Sequence, residues 1–345
     1  MTPAPNRLKR LVRRAFAKAG LRISRIDQQS EAETARLKAA SFNAEHPLPE
    51  GTADYLRHDN PRLMALRERY NALTVDAAVH SLWNPQRMDR QLELSHFRGD
   101  NVYVWQLRNV REQARLKYYL FMTYAQGIDD LGLLGSLTED GLFGCWTFDY
   151  PNHPTISRDL LDSVNEINFL NRHLNLKQRD SFRVLDIGAG YGRLPHRMLQ
   201  ALPNIDHYYC TDAVAESTFL SEFYLKFRGC ADKTTVLPLD EFITAAPDLD
   251  IDLAINIHSF SEMSIAAINW WFARLAEMRP KHLFIIPNDQ DRLLSAESDG
   301  SRVEFSDRIA ASGYELIANE PIYRDPCIQE LIGVDDHFLL YKRVD

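Results

Sequence analysis

The stretch VLDIGAGYGRL, residues 184–194, constrains the fold most strongly, because an apolar run passes directly into three glycines at alternating positions. Residues 184–187 have the aliphatic and β-branched content of a strand that is buried on both faces. Gly188, Gly190 and Gly192 then allow a sharp turn and a close approach of a ligand to the backbone. The stretch therefore predicts a strand, a ligand-binding turn and a following helix.

The spacing of the glycines in this turn indicates which class of ligand the turn can bind. A dinucleotide-binding fingerprint has a third glycine three residues after the second, where this chain has Arg193. A nucleoside-triphosphate loop ends in Gly-Lys-Ser/Thr, and no lysine stands here. The remaining pattern, Asp186 followed by alternating glycines, resembles motif I of class I S-adenosylmethionine (SAM) methyltransferases. A plain strand-to-helix turn is the alternative.

Length and composition predict a globular chain without a membrane span. The 345 residues, 45% of them hydrophobic, suffice for two domains or for one domain with a large extension. The longest apolar run, YYLFMTYA from Tyr118, is far shorter than the ~20 residues of a membrane span. The four cysteines form no CxxC pair, and we recognise no signal peptide, so a cytoplasmic location is expected.

The first 25 residues differ in charge from the rest of the chain. They contain eight Arg or Lys and no acid, whereas the whole chain has a net charge of −8. Apolar residues recur at helical spacing within RLKRLVRRAFAKAG, which predicts a basic amphipathic helix at 1–26. Its residues 7–19 can contact an anionic membrane surface, and a solvated or partner-packed helix is equally compatible. The acidic remainder argues against a nucleic-acid partner.

The periodicity changes near Asp180 and predicts two further regions. Residues 27–180 are predicted to be mostly helical and to form the acceptor side of the cleft, with clear helices in the segments 31–45, 60–73, 109–126 and 157–175. Residues 181–345 alternate between strands and helices. The predicted strands are RVLDIGAG, HYYCTD, TTVLPLDE, IDLAINIHSF, KHLFIIPND and a terminal pair, YELIANEPIY and DDHFLLYKR. This order predicts an α/β fold with a doubly wound, Rossmann-like sheet flanked by helices.

Acidic residues follow the predicted strands at the sheet edge where ligands of such folds gather. Asp212 suits a carboxylate that binds two ribose hydroxyls, with a helix N-cap as its alternative role. Asp240 is predicted, in preference to Glu241, to accept a hydrogen bond from an adenine amino group. Asp186 is placed to hold the ammonium group of a methionine-like tail. The predicted cofactor site comprises Asp186, Gly188, Gly190, Gly192, Arg193, Asp212 and Asp240.

Five stretches together resemble the bacterial sugar O-methyltransferases, a SAM-dependent family. They are FRGDNVYVWQ, EDGLFGCWTF, SRDLLDSVNEINFL, VLDIGAGYGRL and NIHSFSEM, and the resemblance extends over roughly residues 50 to 343. It implies a SAM-binding Rossmann-like domain and a saccharide acceptor, often in the context of surface-polysaccharide synthesis. The basic N-terminal helix lies outside the resemblance.

Methyl transfer to a hydroxyl needs a base, because a protonated sugar hydroxyl is a poor nucleophile. His258 follows a predicted strand in INIHSFSEMS, and histidine is suited to accept a proton at neutral pH. Glu262 is four residues further on, so a helix starting there would let its carboxylate orient the ring. His258 and Glu262 are therefore the predicted catalytic residues. A purely structural role of His258 in the turn is the alternative.

Two other groups could activate the acceptor hydroxyl, and both alternatives stay open. Asn288, Asp289 and Asp291 offer oxygen ligands for a divalent cation, which can acidify a bound hydroxyl. The neighbouring strand offers Asn256 where a further carboxylate is expected, so we predict no metal. His337 is a second candidate base.

Polar and aromatic residues in HFRGDNVYVWQ suit the recognition of a saccharide. The predicted substrate-binding residues are Arg98, Asp100, Asn101, Tyr103 and Trp105. Alternation of the aromatic residues with valines is equally typical of a core strand. The sequence predicts a SAM-dependent O-methyltransferase acting on a hydroxyl of a surface polysaccharide or of a nucleotide- or lipid-linked saccharide. The alternatives are a non-catalytic SAM-binding scaffold in a polysaccharide-assembly complex and a methyltransferase for phenolic or lipid acceptors.

Overall fold

A computed structural model describes residues 48–79, 82–83, 92–99 and 111–344, except the side chains of 111–113. The predicted basic helix lies outside these residues. So do four of the predicted substrate-binding residues, namely Asp100, Asn101, Tyr103 and Trp105. No helix within the described ranges is long and apolar enough to cross a membrane.

A seven-stranded sheet forms the centre of the fold, and a two-stranded pair lies apart from it. The small pair is β1 (Thr147–Phe148) and β2 (Ile156–Ser157). The large sheet contains β3 (Phe182–Ile187), β4 (Ile205–Asp212), β5 (Thr234–Pro238), β6 (Leu253–Ile257), β7 (His282–Ile286), β8 (Tyr314–Pro321) and β9 (His337–Arg343). Its order is β5-β4-β3-β6-β7-β9-β8. Strands β3 to β7 run parallel, and β9 is antiparallel to both β7 and β8.

Strand β3 lies where the chain reverses its direction across the sheet. From β3 it winds outward through β4 to β5 and then returns to the other side of β3 as β6. Ligands of doubly wound folds bind at such a switch point, outside the carboxyl ends of the strands. The glycine turn predicted from the sequence follows β3 directly and therefore lies at this position.

The helices cover both faces of the sheet, so the predicted Rossmann-like α/β fold is confirmed. They are α1 (Thr52–Tyr55), α2 (Pro61–Asn71), α3 (Arg111–Ile128), α4 (Leu133–Ser136), α5 (Arg158–Leu174), α6 (Arg193–Ala201), α7 (Ala215–Phe227), α8 (Leu239–Ala245), α9 (Ile265–Met278), α10 (Ser306–Ala311) and α11 (Pro326–Ile332). Ser157 and Ser264 cap α5 and α9 with their side chains, which satisfies N–H groups of the first helical turn. Of the four helical segments predicted before residue 180, three correspond to α2, α3 and α5, and the segment 31–45 lies outside the described residues.

Two apolar cores lie on the two faces of the sheet, and each includes residues from before and after residue 180. Leu63 of α2 belongs to the core that contains Ile187 and Phe219. Phe121 of α3 belongs to the core that contains Phe284. The N-terminal helices thus pack directly on the sheet and its helices.

Tyr70, at the end of α2, joins this helix to the ligand edge of the sheet. The Tyr70 hydroxyl donates to the Asp212 carbonyl at 3.0 Å and accepts from the Leu239 amide at 2.9 Å. The Thr218 hydroxyl lies 2.7 Å away. Three ion pairs fix the same helix, namely Arg62–Glu222, Arg67–Glu216 and Arg69–Asp240. Helix α2 therefore stabilises the ends of β4 and β5.

The variant Tyr70→Phe is expected to lower the free energy of unfolding by about 1–3 kcal/mol, because the buried Leu239 amide loses its acceptor. Urea denaturation measures the change. Tyr55→Phe is the matched control, since Tyr55 is exposed and its ring, not its hydroxyl, makes the described contacts. Equal stability of Tyr70→Phe and the unchanged chain would contradict a structural role for the hydroxyl.

Candidate functional site

The turn after β3 adopts backbone conformations that require glycine. Gly188, Gly190 and Gly192 have φ values of 77°, 58° and 88°. A Cβ atom on Gly188 would lie 2.2 Å from the Ser259 hydroxyl oxygen. The Gly190 amide donates to Asp212 Oδ2 at 3.0 Å, which fixes the turn against the end of β4. Gly192 stands at the N-cap of α6. The alternating glycines are thus explained by backbone geometry and close packing.

Two buried carboxyl groups flank the turn. Asp186 is 4% exposed and accepts from the Tyr208 hydroxyl, and Asp212 is 9% exposed and accepts from the Val214 amide at 2.9 Å. Burial raises the pKa of Asp186 to about 7 and that of Asp212 to about 7. The charge of Glu262 also raises the pKa of Asp212. A cationic ligand beside these groups would favour their charged forms.

A cavity of about 510 Å³ opens at the carboxyl ends of the parallel strands. Its size lies within the ~300–1,000 Å³ range of small-molecule sites. The cavity brings together most of the residues predicted from the sequence. Those that line it are Asp186, Gly188, Gly190, Arg193, Asp212, His258 and Glu262.

His258 follows β6 directly and lines this cavity. Its backbone has φ 65°, and its amide donates to the Ile286 carbonyl at 2.7 Å. Its Nδ1 atom has no hydrogen-bond partner among the described residues. Burial and the positive charges of Arg193 and Arg158 lower the pKa of His258 to about 4, while the charge of Asp162 and a hydrogen bond to the Pro287 backbone oppose this shift. The imidazole is therefore neutral at physiological pH.

The structure does not support the prediction that Glu262 orients the His258 ring. Residues Ser259–Glu262 form a 3₁₀ turn, in which side chains three residues apart align instead of those four apart. Glu262 accepts from Trp83 Nε1 at 2.6 Å and from Asn288 Nδ2 at 3.4 Å, and no hydrogen bond joins it to His258. Glu262 instead lies close enough to Asp212 to affect the pKa of that group.

Arg193 lines the cavity, but its guanidinium is already paired. Both terminal nitrogens donate to Glu166 at 2.8 Å, and one also donates to the Ser163 hydroxyl at 2.9 Å. Its charge is therefore largely compensated by the protein. Arg193 can position the wall of the cavity and offers little attraction to an anionic ligand.

Asp240 lies outside the cavity lining, in the first turn of α8. Its Oδ2 accepts from Arg69 Nε of α2 at 2.8 Å. Glu241, the alternative acceptor, pairs with the same arginine. Asp240 Oδ1 is buried and has no hydrogen-bond partner among the described residues, so the contact of Asp240 with adenine stays a prediction.

The structure does not support the prediction that Arg98 contacts an acceptor, because its side chain is completely buried. Arg98 donates to Asp159 Oδ2 and to Glu139 Oε2, both at 2.8 Å. The Tyr191 hydroxyl of the glycine turn donates to the same Asp159 oxygen at 2.8 Å. Arg197 adds a second guanidinium at 2.8 Å from Glu139. Arg98 thus belongs to a buried ion cluster that supports the turn from below.

The potential ligand atoms of Glu139, Cys145 and Asp159 lie within 4.8 Å of one another, and the described residues contain no other such group of three metal-ligating side chains. Burial raises the pKa of the Cys145 thiol well above its usual range, which opposes the thiolate that a metal needs. Arg98 and Arg197 already neutralise the two carboxylates. The grouping is therefore explained as an internal ion cluster.

The structure does not support the two alternatives, which are a divalent cation held by Asn288, Asp289 and Asp291, and His337 as the base. Asp289 pairs with Arg292, and Asp291 accepts from Asn319. His337 Nδ1 lies 2.6 Å from the Asn319 side-chain oxygen and outside the cavity lining. Of the predicted oxygen ligands, Asn288 alone reaches the lining.

Sequence reasoning missed an entire wall of the cavity. Helix α5 and the segments around β8 and β9 contribute Arg158, Asp162, Tyr323, Asp336 and Phe338. The i, i+4 spacing of Arg158 and Asp162 is a detectable signal, since their side chains form an ion pair at 2.7 Å. The other three residues follow α5 by more than 140 positions, and no local pattern places them there.

No protein-family model matches the chain, and none of the curated proteins does. Among solved structures, a protein of the NADB-Rossmann superfamily from Streptococcus agalactiae is 20% identical, with a TM-score of 0.35. The match covers 48% of this chain and 63% of that protein, which is less than two thirds of its length.

Two other solved structures have the same degree of similarity. A SAM-dependent methyltransferase from Aquifex aeolicus is 15% identical, with a TM-score of 0.38 and coverage of 50% of this chain and 88% of that one. A SAM-dependent methyltransferase from Leishmania major is 18% identical, with a TM-score of 0.40 and coverage of 52% and 71%. Similarities of this size assign no ligand or activity to the chain.

Proposed function

We propose that the chain is a SAM-dependent methyltransferase that transfers a methyl group to a hydroxyl of a sugar. The observation that carries the proposal is the convergence of the glycine turn, Asp186, Asp212 and the neutral His258 on one cavity at the switch point of the sheet. The sugar acceptor rests on the resemblance of the five sequence stretches and not on the cavity alone.

The charge of the cavity favours a cationic cofactor over a phosphorylated one. Seven carboxylate residues and two arginines from the described ranges line it. Both arginines are ion-paired, Arg193 with Glu166 and Arg158 with Asp162. A pyrophosphate or triphosphate would be repelled by the excess negative charge, whereas the sulfonium and ammonium groups of SAM would be attracted.

Bound SAM supplies an electrophilic methyl group whose transfer releases a neutral thioether. The Gly188–Gly192 turn and Asp212 would hold the ribose end, and Asp186 would hold the ammonium group. His258 would orient the acceptor hydroxyl and take its proton as the oxygen–carbon bond forms. His258 would later return this proton to water.

The variant Asp212→Ala is expected to weaken SAM and S-adenosylhomocysteine binding by about 10- to 100-fold, since one charged hydrogen bond contributes roughly 1.5–3 kcal/mol. Calorimetry of the folded variant measures the change. Asp240→Ala is the matched control, because that carboxylate lies outside the cavity. Unchanged affinity in Asp212→Ala would remove Asp212 from the cofactor site. Equal weakening in Asp240→Ala would support the adenine contact predicted from the sequence.

The membrane contact proposed for residues 7–19 is tested separately. A chain lacking residues 1–25 is expected to retain SAM binding and to lose co-sedimentation with anionic vesicles, because it lacks eight basic residues. Vesicles of neutral lipid serve as the control. Failure of the full chain to sediment with anionic vesicles at low salt would contradict the membrane contact and leave the methyltransferase proposal intact.

A further inference from the structure

The cavity extends beyond the cofactor residues to a wall that carries no residue of the predicted site. Arg158 and Asp162 of α5 form one side of this wall, and Tyr323, Asp336 and Phe338 form the other. The Ile322 amide donates to the Asp336 carbonyl at 2.9 Å, so Tyr323 and Asp336 are held beside each other. We call these five residues the acceptor wall.

Tyr323 is a buried side chain with an unused polar group. It is 4% exposed, and its ring packs against Phe121 and Tyr124 at centroid distances of 5.3 and 5.0 Å. Its hydroxyl has no hydrogen-bond partner within the described ranges, although the residue lines the cavity. A buried phenol in this position is satisfied by a ligand or by water. The acceptor wall is thus prepared for a ligand with hydroxyl or amino groups.

The acceptor wall carries two carboxylates and one guanidinium. Arg158 Nε donates to both oxygens of Asp162, at 3.0 and 2.7 Å. Asp336 has no ion pair or side-chain hydrogen bond with any described residue. Burial and the charge of Asp335 raise the pKa of Asp336 to about 6 against the positive charge of Arg158, so this carboxyl group is ionised at pH 7.5. Because no described side chain forms an ion pair with Asp336, a cationic group of a ligand can do so.

We propose that the acceptor saccharide carries a free ammonium group, which Asp336 binds while Tyr323 hydrogen-bonds a neighbouring hydroxyl. Phe338, which is 3% exposed, offers an apolar surface for the sugar ring. The preferred acceptor is therefore an amino sugar, ahead of a neutral sugar and well ahead of a phosphorylated one. This inference rests on the proposed function for the identity of the acceptor as a saccharide.

The terminal nitrogens of Arg158 provide the competing possibility. They have no described partner and can donate to an anion, but Asp162 and Asp336 place two negative charges around this one positive charge. The net charge around Arg158 is negative, so a phosphate group would be repelled from this position.

Binding of glucosamine, glucose and glucose 6-phosphate to the full chain tests the proposal, with and without S-adenosylhomocysteine. At pH 7.5 we expect glucosamine to bind about tenfold or more tightly than glucose, the effect of one charge-assisted hydrogen bond, and glucose 6-phosphate to bind weakest. Asp336→Asn should abolish the preference for glucosamine. Asp335→Asn, which changes an exposed neighbour, should retain most of it. Tyr323→Phe should weaken glucosamine and glucose equally.

Tightest binding of glucose 6-phosphate would overturn the proposal and assign Arg158 as an anion site. Equal binding of glucosamine and glucose, or an unchanged preference in Asp336→Asn, would also overturn it. Because the three sugars are compared without cofactor as well, failure of the chain to bind S-adenosylhomocysteine would refute the proposed function without affecting this comparison.

Discussion

Replacing His258 with alanine is expected to lower turnover by about 10²- to 10⁴-fold and to leave SAM affinity nearly unchanged, because a positioned general base contributes that much to proton transfer. His258 lines the cavity, and its Nδ1 atom has no hydrogen-bond partner among the described residues. His337→Ala is the matched control, since that ring lies outside the cavity. Turnover and calorimetric affinity are measured on the same preparations.

The pH profile gives this prediction a second readout. The pKa of His258 is lowered to about 4, so the neutral, proton-accepting form is present above that pH and is lost as the pH falls through it. Activity limited by this base should therefore have an acid limb near pH 4 that is absent in His258→Ala. Full turnover of His258→Ala would eliminate the base. Loss of SAM binding in that variant would assign His258 to the cofactor pocket.

The variant Arg98→Met is expected to lower the free energy of unfolding by about 3–5 kcal/mol, because it leaves the buried Asp159 and Glu139 charges undercompensated. Arg98 has no exposed side-chain area and contacts both carboxylates at 2.8 Å. Urea denaturation measures the loss. Arg57→Met is the control, since the Arg57–Asp59 pair is exposed and should contribute at most about 1 kcal/mol.

A substrate-binding role for Arg98 makes the opposite prediction. It requires Arg98→Met to be as stable as the unchanged chain and to lose acceptor affinity alone. Near-normal stability of Arg98→Met would therefore contradict the buried cluster described here. Because the Tyr191 hydroxyl donates to Asp159, a folded Arg98→Met should also bind SAM more weakly through loosening of the glycine turn.

The central sheet and the cofactor edge of the cavity are predictable from the sequence. Strands buried on both faces are mostly apolar, as Val184, Leu185 and Ile187 show, and glycines at alternating positions signal backbone with positive φ. Asp212 could be placed because it ends a strand next to the turn, and parallel strands bring their carboxyl ends to one edge. These signals lie within short stretches of the chain, so they can be recognised in a single sequence.

The ion-pair partners of Asp240 and Arg98 lie at long sequence separations. Asp240 meets Arg69 from 171 positions earlier, and Arg98 meets Asp159 from 61 positions away. Such partners convert an apparent ligand group into an internal ion pair, and no periodicity reveals them. Glu262 was misplaced for a different reason, because a 3₁₀ turn formed where an α-helix was assumed. Tertiary contacts and local helix type thus decide which polar residues remain available to a ligand.

Calorimetric titration of SAM into the full chain at about pH 6 and about pH 7.5 tests the central claim, that the acidic cavity binds a cationic cofactor. Because Asp186 and Asp212 have pKa values of about 7, both become more ionised between these pH values. We predict binding at one site, several-fold tighter at the higher pH, with release of protons to the buffer. Absence of SAM binding, or binding of NADH or ATP in its place with affinity that falls as the pH rises, would contradict the account.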